Sequence, residues 1–351
     1  MSLIPTPTER RARALTDLRL GLPVVLDGSD RWLFAAADAM TDARLAALRS
    51  LGPLELALTQ WRADTLKARA YHGDVSRIMI PDHANAQWCQ AMADPTLDLA
   101  TPLKGPFDSQ RDGTADAARA ALTCLKEAQL LPTAVMVRTD VRPDDLTVID
   151  PTFGLPAHLH SVAQARVPLT ATPASRVHVF RPDNAGEDHY AIEIGTPDRA
   201  KPVLARLHSA CFTGDVLGSL KCDCGPQLNA ALARMGADGA GVLLYLNQEG
   251  RGIGLANKMR AYALQDQGFD TVQANHRLGF EDDERDFQLG SDILKKMGFS
   301  QVRLMTNNPA KVEKFNATGL TVTERVPLKV GETPQNAHYL ATKANKSGHI
   351  L

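Results

Sequence analysis

The sequence of 351 residues lacks any long apolar run and carries almost no net charge. No segment approaches the roughly 18 apolar residues of a membrane-spanning helix, and the first residues show no apolar run of signal-peptide length. Lys and Arg number 39 against 40 Asp and Glu, and the resulting net charge of -1 gives no overall attraction to nucleic acid or an anionic membrane. We therefore expect a cytoplasmic protein with no nucleic-acid or membrane partner, in which any phosphate is bound locally.

Cysteine is also scarce, with five residues in the chain. Three of them lie close together in sequence, which favours a reducing compartment and a metal site over a disulfide framework. Cys89 and Cys124 stand alone among apolar neighbours, and this predicts that they fill space in a core.

The clustered cysteines, Cys211, Cys222 and Cys224, offer three thiolates to one metal ion and no fourth. A structural zinc site uses four protein ligands, whereas a catalytic site keeps one position for a water molecule that the metal activates. The pattern therefore predicts a catalytic Zn²⁺ site with one ion per chain.

Three nearby side chains are weaker candidates for a fourth ligand: His208, Asp215 and Asp223. Asp223 lies between two cysteines, where its side chain tends to point away from a metal that they share, and a buried or capping role fits better. His208 is equally compatible with a phosphate contact and with a core position.

Length and pattern predict two domains in a mixed α/β fold. A chain of 351 residues suits about two domains of ordinary size. Residues 10–160 are rich in Ala and Leu and indicate helices with short strands, and the Ala-rich run 115–128 is one predicted helix. After a Pro/Thr/Ser-rich passage at 167–175, strands and helices alternate, and the wholly apolar run 241–246 is a predicted strand. We place the boundary near residue 170 and expect domains 1–170 and 171–351, the second a mixed sheet with flanking helices.

Two junctions between a strand and a helix have the composition of anion sites. In 248–254, glycines let the backbone approach a ligand and Arg251 adds a fork suited to phosphate. In 306–311, an Asn cap followed by Pro309 predicts a helix start, which Thr306 and Lys311 flank. Neither junction matches a dinucleotide fingerprint or a P-loop, so each alone is also compatible with a tight turn.

The acidic segment 278–287 carries five carboxylates around one arginine. A solvated turn is the default interpretation. Asp283 and Arg285 are nevertheless spaced so that both could face one cleft, where carboxylates recruit Mg²⁺ or transfer protons. The residues taken together support a zinc hydrolase acting on a phosphorylated small molecule.

A collinear series of motifs runs through the second half of the chain: HSACFTGD at 208–215, CDCG at 222–225, QEGR at 248–251, NKMRAYALQD at 257–266, DTVQANH at 270–276, DERDF at 283–287 and TNNP at 306–309. From about residue 173 to 351 the chain thereby resembles GTP cyclohydrolase II, the enzyme that opens the guanine ring of GTP at the start of riboflavin synthesis. Zn²⁺ on the three cysteines, Mg²⁺ with the triphosphate and a homodimer are what the resemblance implies.

The same resemblance implies roles for individual residues. Asp283 is expected as a general base, Arg285 as a nucleophile and Tyr262 as a further catalytic residue, in a reaction that releases formate and pyrophosphate. Because a charged guanidinium has no free lone pair, Arg285 has an alternative role as a clamp on the α-phosphate. The implied GTP contacts are Arg206, Leu207, His208, Ser209, Ala210, Gln227, Glu249, Gly250, Arg251, Thr271, Thr306 and Lys311.

The chain departs from the family pattern at Ala210, where the family usually has Glu. Related enzymes of uracil degradation share the cysteine site but alter nucleotide-binding positions, so a paralogue acting on another nucleotide is one alternative. A nucleotide-binding regulator without turnover is another, and the intact zinc ligands argue against it. GTP chemistry is favoured by the joint presence of Gln227, Tyr262, Asp283, Arg285 and Lys311.

The first 160 residues resemble 3,4-dihydroxy-2-butanone 4-phosphate synthase in the rhythm of residues 14–27. The acidic stretch that holds Mg²⁺ in that family is replaced by residues 28–34, and the expected His-Thr-Glu-Ala appears as Gly113-Thr-Ala-Asp116. The resemblance implies a degenerate domain that has lost its catalysis.

Overall fold

The computed structural model describes residues 3–141, 143–151, 157–336 and 341, and the chain forms two compact units. Unit 1 is Met1–Pro156 with Ala256–Glu284, and unit 2 is Ala157–Leu255 with Arg285–Leu351. Each unit contains a sheet and helices, so the prediction of a mixed α/β fold is confirmed.

The helices and strands of the described residues follow in chain order. They are α1 (Pro7–Arg19), β1 (Val24–Asp27), β2 (Arg31–Ala36), α2 (Asp42–Arg49), β3 (Leu54–Thr59), α3 (Gln60–Leu66), β4 (Val75–Met79), α4 (Ala86–Ala93), α5 (Asp116–Glu127), β5 (Thr133–Arg138), β6 (Val148–Ile149), β7 (Leu159–Arg166), β8 (Ser175–Pro182), β9 (His189–Gly195), β10 (Val203–Ser209), α6 (Cys224–Asp238), β11 (Ala240–Leu246), α7 (Leu255–Asp266), α8 (Thr271–Leu278), α9 (Gln288–Lys296), β12 (Gln301–Met305), α10 (Pro309–Ala317) and β13 (Thr321–Val326).

Unit 1 is built on a six-stranded sheet in the order β4-β3-β5-β2-β1-β6. Its neighbouring strands are antiparallel except for β1 and β6. Helix α5 confirms the helix predicted for the Ala-rich run, and Ala118, Leu122 and Leu125 are buried at helical spacing. Cys89 and Cys124 are both buried, as predicted.

Unit 2 contains a seven-stranded sheet in the order β13-β12-β10-β11-β9-β8-β7. Strands β13, β12, β10 and β11 are parallel to their neighbours in this group, whereas β9, β8 and β7 pair in antiparallel fashion. The apolar run predicted as a strand is β11, which lies in the interior of the sheet and is almost wholly buried. Strands covered on both faces have this continuous apolar character.

The units divide the chain differently from the expected boundary near residue 170. Residues 167–174 form the loop between β7 and β8, which are antiparallel neighbours in unit 2, and Ser175 begins β8. Within this loop the backbone N–H of Leu169 donates to the carbonyl of Thr172 at 2.9 Å. Residues 256–284 pack with unit 1 although they lie in the second half of the chain. A hairpin loop and a linker use the same turn-forming residues, so composition alone does not separate them.

A buried arginine ties together the helices on one side of unit 1. Arg62, on α3, is fully buried. Its Nε donates to the carbonyl of Met92 at 2.8 Å, and its two terminal nitrogens donate to Asp98 at 2.6 and 3.0 Å. This two-bond arrangement is the strongest geometry that an arginine and a carboxylate adopt.

We expect Arg62→Ala to lower the free energy of unfolding of unit 1 by about 3–5 kcal/mol, because Asp98 loses two hydrogen bonds from the buried guanidinium and the carbonyl of Met92 loses a buried donor. Urea denaturation monitors this loss. Arg138→Ala is the matched control, since its ion pair with Asp30 at 2.6 Å joins side chains that are 67% and 44% exposed. An exposed pair contributes at most about 1 kcal/mol. Equal losses in the two variants would contradict the role given to Arg62.

Candidate functional site

The carboxyl ends of β10, β11 and β12 meet at one edge of the sheet in unit 2. Strand β10 lies between the other two and is parallel to both. Ser209, the last residue of β10, pairs with Leu246, the last residue of β11. Ligands of open parallel sheets bind at this edge. The fold therefore gathers three segments that the sequence had singled out separately, namely the loops that follow these strands.

Three sulfur atoms lie together in the loop after β10 and at the start of α6. The Sγ atoms of Cys211, Cys222 and Cys224 are all within 4.8 Å of one another, and those of Cys211 and Cys222 are 3.8 Å apart. The hydrogen bond with Cys211 raises the pKa of Cys222, and hydrogen bonds with Cys211 and Cys222 raise the pKa of Cys224. Three thiolates at this separation need a cation between them, and soft divalent metals prefer such ligands.

No other group of three His, Cys, Asp or Glu side chains with metal-binding geometry occurs in the described part of the chain. His208, Asp215 and Asp223 are not members of the sulfur group, so none completes it as a fourth ligand in this arrangement. A metal ion held by the three sulfurs would thus keep one coordination position open.

Gly214 allows the three cysteines to converge. It lies in a π-helical turn, Phe212–Val216, a type of turn that is frequent at functional sites. A Cβ on Gly214 would lie 2.8 Å from Cys222 Sγ and 3.1 Å from Cys211 Sγ. A Cβ on Gly225 would lie 2.3 Å from the carbonyl oxygen of Gly214. Contacts below 3.0 Å are essentially never seen for a real Cβ, so both positions require glycine.

Asp215 anchors the cysteine loop from a buried position. Its carboxylate accepts the backbone N–H of Cys211 and the hydroxyl of Tyr245, each at 3.0 Å, and contacts His208 Nε2 at 3.0 Å. Burial, followed by the charge of Asp215, raises the pKa of Tyr245, so the phenol remains a donor. His208 and Asp215 are only 4% and 3% exposed. These contacts support the core interpretation of His208 over a direct phosphate contact.

Arg206 and Gln227, both expected to contact substrate, are hydrogen-bonded to each other. A terminal nitrogen of Arg206 donates to Gln227, and the Gln227 amide donates to Asp223. Burial lowers the pKa of Arg206 to about 10, and the charges of Asp223 and of Cys224 oppose this effect. The Nε atom of Arg206 is buried and has no hydrogen-bond partner in the described residues. A buried arginine with an unused donor is suited to a polar ligand.

The loop after β11 contacts the cysteine loop through Glu249. Its Oε2 accepts the backbone N–H of Phe212 at 2.6 Å, and its Oε1 accepts that of Gly250 at 3.0 Å. Gly250 and Arg251 both have φ of 63°. A left-handed conformation is unusual for arginine, and strained residues of this kind cluster at ligand sites.

A cluster of cations surrounds Phe287 in unit 2. The guanidinium of Arg285 lies 5.1 Å from the ring centroid, and the ammonium groups of Lys311 and Lys314 lie at 5.6 and 5.1 Å. Arg285 also donates to Ser209 Oγ at 3.1 Å, which connects this cluster to the end of β10. Three positive charges around one ring repel one another and attract a polyanion.

Helix α10 begins next to this cluster. Asn308 caps it as predicted, accepting the backbone N–H of Ala310 at 3.0 Å. Thr306 is buried, and its hydroxyl accepts the backbone N–H of Asn308 at 3.1 Å. The predicted anion site at 306–311 therefore consists of a capped helix start together with Lys311.

Comparison with known proteins now identifies the family. A family model described as GTP cyclohydrolase II matches residues 160–327. A protein named GTP cyclohydrolase-2 from Azospirillum brasilense is 40% identical over 361 residues, which cover 97% of this chain and 93% of that protein. The chain belongs to the GTP cyclohydrolase II family. The GTP cyclohydrolase-2 of Klebsiella pneumoniae is 55% identical over 193 residues, which cover 55% of this chain and 96% of that protein.

One solved structure is also similar at a low level. It is described as RibBX, a two domain 3,4-dihydroxy-2-butanone 4-phosphate synthase from A. baumannii. The match has a TM-score of 0.30 and 15% identity, and it covers 90% of this chain and 99% of that one. A likeness at this level supports no conclusion about either unit, so the degenerate synthase domain stays a prediction.

The residues expected from the resemblance to the GTP cyclohydrolase II family fall in both units. Tyr262, Thr271 and Asp283 lie in the segment of the chain that packs with unit 1, and the others lie in unit 2. The Leu207 side chain belongs to the core, where a Cβ on Gly290 would approach it at 2.7 Å. Ala210 donates its N–H to the carbonyl of Leu246 at 2.8 Å. A substrate contact at either position would have to use the backbone or the small Ala side chain.

Sequence reasoning missed the parts played by Gly214, Tyr245, Phe287 and Lys314. Gly214 had a usable signal, because it lies between the metal-ligand positions in a family motif. Tyr245 stands in an apolar strand and Lys314 in a helix that also carries other charges, so neither pattern distinguishes it. Their contacts are formed by residues distant in sequence, which periodicity does not reveal.

We expect Gly214→Ala to weaken Zn²⁺ binding by about 10- to 100-fold, because the added methyl group separates the sulfur atoms. Competition with a chelator measures this affinity. Gly218→Ala is the control, since Gly218 has φ of 65° but no atom within 4 Å of the added Cβ. It incurs backbone strain without crowding the sulfurs and should bind Zn²⁺ as the unchanged protein does. Similar losses in both variants would contradict the crowding explanation.

Proposed function

We propose that the protein hydrolyses GTP to a diaminopyrimidine nucleotide, formate and pyrophosphate, as the first step of riboflavin biosynthesis. The observation that carries this proposal is the group of three sulfur atoms at the carboxyl edge of the sheet in unit 2, joined through β10 to a cluster of cations. The sulfur group suits a metal that activates water, and the cations suit a triphosphate.

Zn²⁺ is the metal that best fits Cys211, Cys222 and Cys224. Zinc–sulfur bonds of about 2.3 Å in a tetrahedron place the sulfurs about 3.8 Å apart, and Cys211 and Cys222 are separated by 3.8 Å. When bound, the ion would supply an activated water for attack at C8 of guanine. The chain itself keeps the loop in place through Asp215 and leaves a fourth position open.

The cations around Phe287 fit the triphosphate. Arg285, Lys311 and Lys314 present three positive charges, and Mg²⁺ with the triphosphate would add to them. Arg285 donates to Ser209, and a charged guanidinium has no lone pair to offer. Its geometry therefore favours the clamp on the α-phosphate over the nucleophile.

The remaining roles are carried over from the family. Asp283 would act as a general base and Tyr262 as a donor to an intermediate after ring opening. Thr271, Glu249 and Arg251 would contact GTP. A homodimer and a cytoplasmic location also remain proposals, and no described helix is long and apolar enough to cross a membrane.

The direct test is to incubate the purified protein with GTP, Zn²⁺ and Mg²⁺ and to quantify formate, pyrophosphate and the diaminopyrimidine absorbance. We expect all three in equal amounts. Turnover of another nucleotide in place of GTP would instead support a paralogue of different specificity, to which Ala210 would contribute. Tight GTP binding with no product would support the regulator.

We expect Cys222→Ser to lose the metal and to lower GTP turnover by at least about 100-fold, because a hydroxyl is a poor zinc ligand. Metal analysis and product assays measure both effects. Cys124→Ala is the matched control, since this thiol is buried in the core of unit 1. It should retain one zinc per chain. Full turnover in Cys222→Ser without zinc would refute the metal assignment.

Tyr262→Phe should slow formate release more than pyrophosphate release, because a phenol can donate to the tetrahedral intermediate of the second hydrolysis. Rapid-quench assays of the two products separate the steps. Tyr190→Phe, which removes a hydroxyl from β9, should change neither rate. Equal slowing of both products in Tyr262→Phe would show that the residue only positions the substrate.

A further inference from the structure

Unit 1 contains a cavity of about 760 Å³, and the residues that line it include none of those discussed for GTP chemistry. Its walls come from residues 65–71 after α3, residues 98–111, and Arg277 on α8. Pockets of about 300–1,000 Å³ are the usual size for small-molecule ligands. The cavity lies entirely within one compact unit.

The walls of this cavity carry an excess of positive charge. The lining includes two carboxylates, Asp98 and Asp108, and five cations: Lys67, Arg69, Lys104, Arg111 and Arg277. Three of the cations, Lys67, Arg69 and Arg111, form no ion pair with any residue in the described ranges. The whole protein has a net charge of -1, so this excess is a local feature of the cavity.

The carboxylate of Asp98 is already shared by several cations. Arg62 binds it from the core at 2.6 Å, Lys104 contacts it, and Arg277 lies 3.9 Å from it. Burial lowers the pKa of Lys104, and the charge of Arg62 lowers it further, although Asp98 partly compensates. One carboxylate among three cations leaves uncompensated positive charge at the floor of the cavity.

The walls also offer apolar and aromatic surface. Leu99 and Leu103 are 69% and 95% exposed, and Phe107 also lines the cavity. The guanidinium of Arg111 lies over the ring of Tyr71, 4.9 Å from its centroid. A flat ligand ring can stack on such an arginine–tyrosine pair while its anionic group reaches the other cations.

We propose that this cavity is a second ligand site, which binds a small phosphate monoester carrying a ring. The phosphate dianion compensates the surplus of cations, and Arg111 with Tyr71 holds the ring. The limited volume and the exposed leucines favour a small molecule over a nucleic-acid backbone, which would need an extended basic surface.

Phenyl phosphate is a suitable probe, with phenol as its uncharged counterpart, and calorimetric titration of the full-length protein measures binding. The variant Lys67→Gln/Arg69→Gln removes two cations from the cavity. Arg10→Gln/Arg13→Gln removes two exposed cations from the same unit that do not line the cavity. The two variants have the same net charge, so they differ only in where the charge is lost.

We expect phenyl phosphate to bind and phenol not to bind at the same concentration. Lys67→Gln/Arg69→Gln should weaken phenyl phosphate binding by about ten-fold or more, because two charge-assisted hydrogen bonds are lost. Arg10→Gln/Arg13→Gln should leave it unchanged, and added salt should weaken it.

Three results would overturn the proposal. The first is no binding of phenyl phosphate at millimolar concentration. The second is equal affinity in the two double variants, which would place the bound anion elsewhere, for instance among the cations of unit 2. The third is equal binding of phenol, which would show that the cavity selects an apolar ring and not an anion.

Discussion

The mutual repulsion of three thiolates is the constraint on which the site in unit 2 depends. Sulfur atoms 3.8 Å apart remain together only when a cation lies among them or when protons neutralise them. The surrounding chain is arranged to permit this approach. Gly214 and Gly225 have no Cβ that would prevent this approach. The carboxylate of Asp215 accepts the backbone N–H of Cys211 and so holds the loop in place.

The parallel strands also bring positive charge to this edge of the sheet, next to the negative charge of the thiolates. The loop that carries the cysteines follows the end of β10. Ser209, the last residue of β10, accepts a hydrogen bond from Arg285, one of the cations around Phe287. Parallel neighbours end at the same edge, so both patterns occur there without any closeness in sequence. Under the proposed function, a metal on the three sulfurs and the triphosphate on the cations would thus lie side by side at this edge.

In unit 1 a buried positive charge, that of Arg62, is neutralised by a carboxylate of the chain itself. Arg62 is satisfied by Asp98 and by two backbone carbonyls, and this network holds the loop that lines the cavity. The same carboxylate is surrounded by more cations than it can neutralise. A structural ion pair and an anion-binding surface therefore share one residue, and the stability of the loop is linked to the charge of the cavity.

Local spacing in the sequence was sufficient for the cluster of three cysteines, the apolar strand β11, the Asn308 cap and the family. Each of these depends on residues close together in the chain, where periodicity and ligand geometry act directly. The boundary near 170 was placed in a hairpin loop because turn residues look alike in loops and linkers. The return of residues 256–284 to unit 1, the contacts of Asp215 with Tyr245 and the convergence of cations on Phe287 were decided by tertiary structure alone. Apart from Arg285, which is close to Phe287 in sequence, they join residues about 25 to over 100 positions apart. Only packing of the folded chain selects such pairs from the many that the sequence allows.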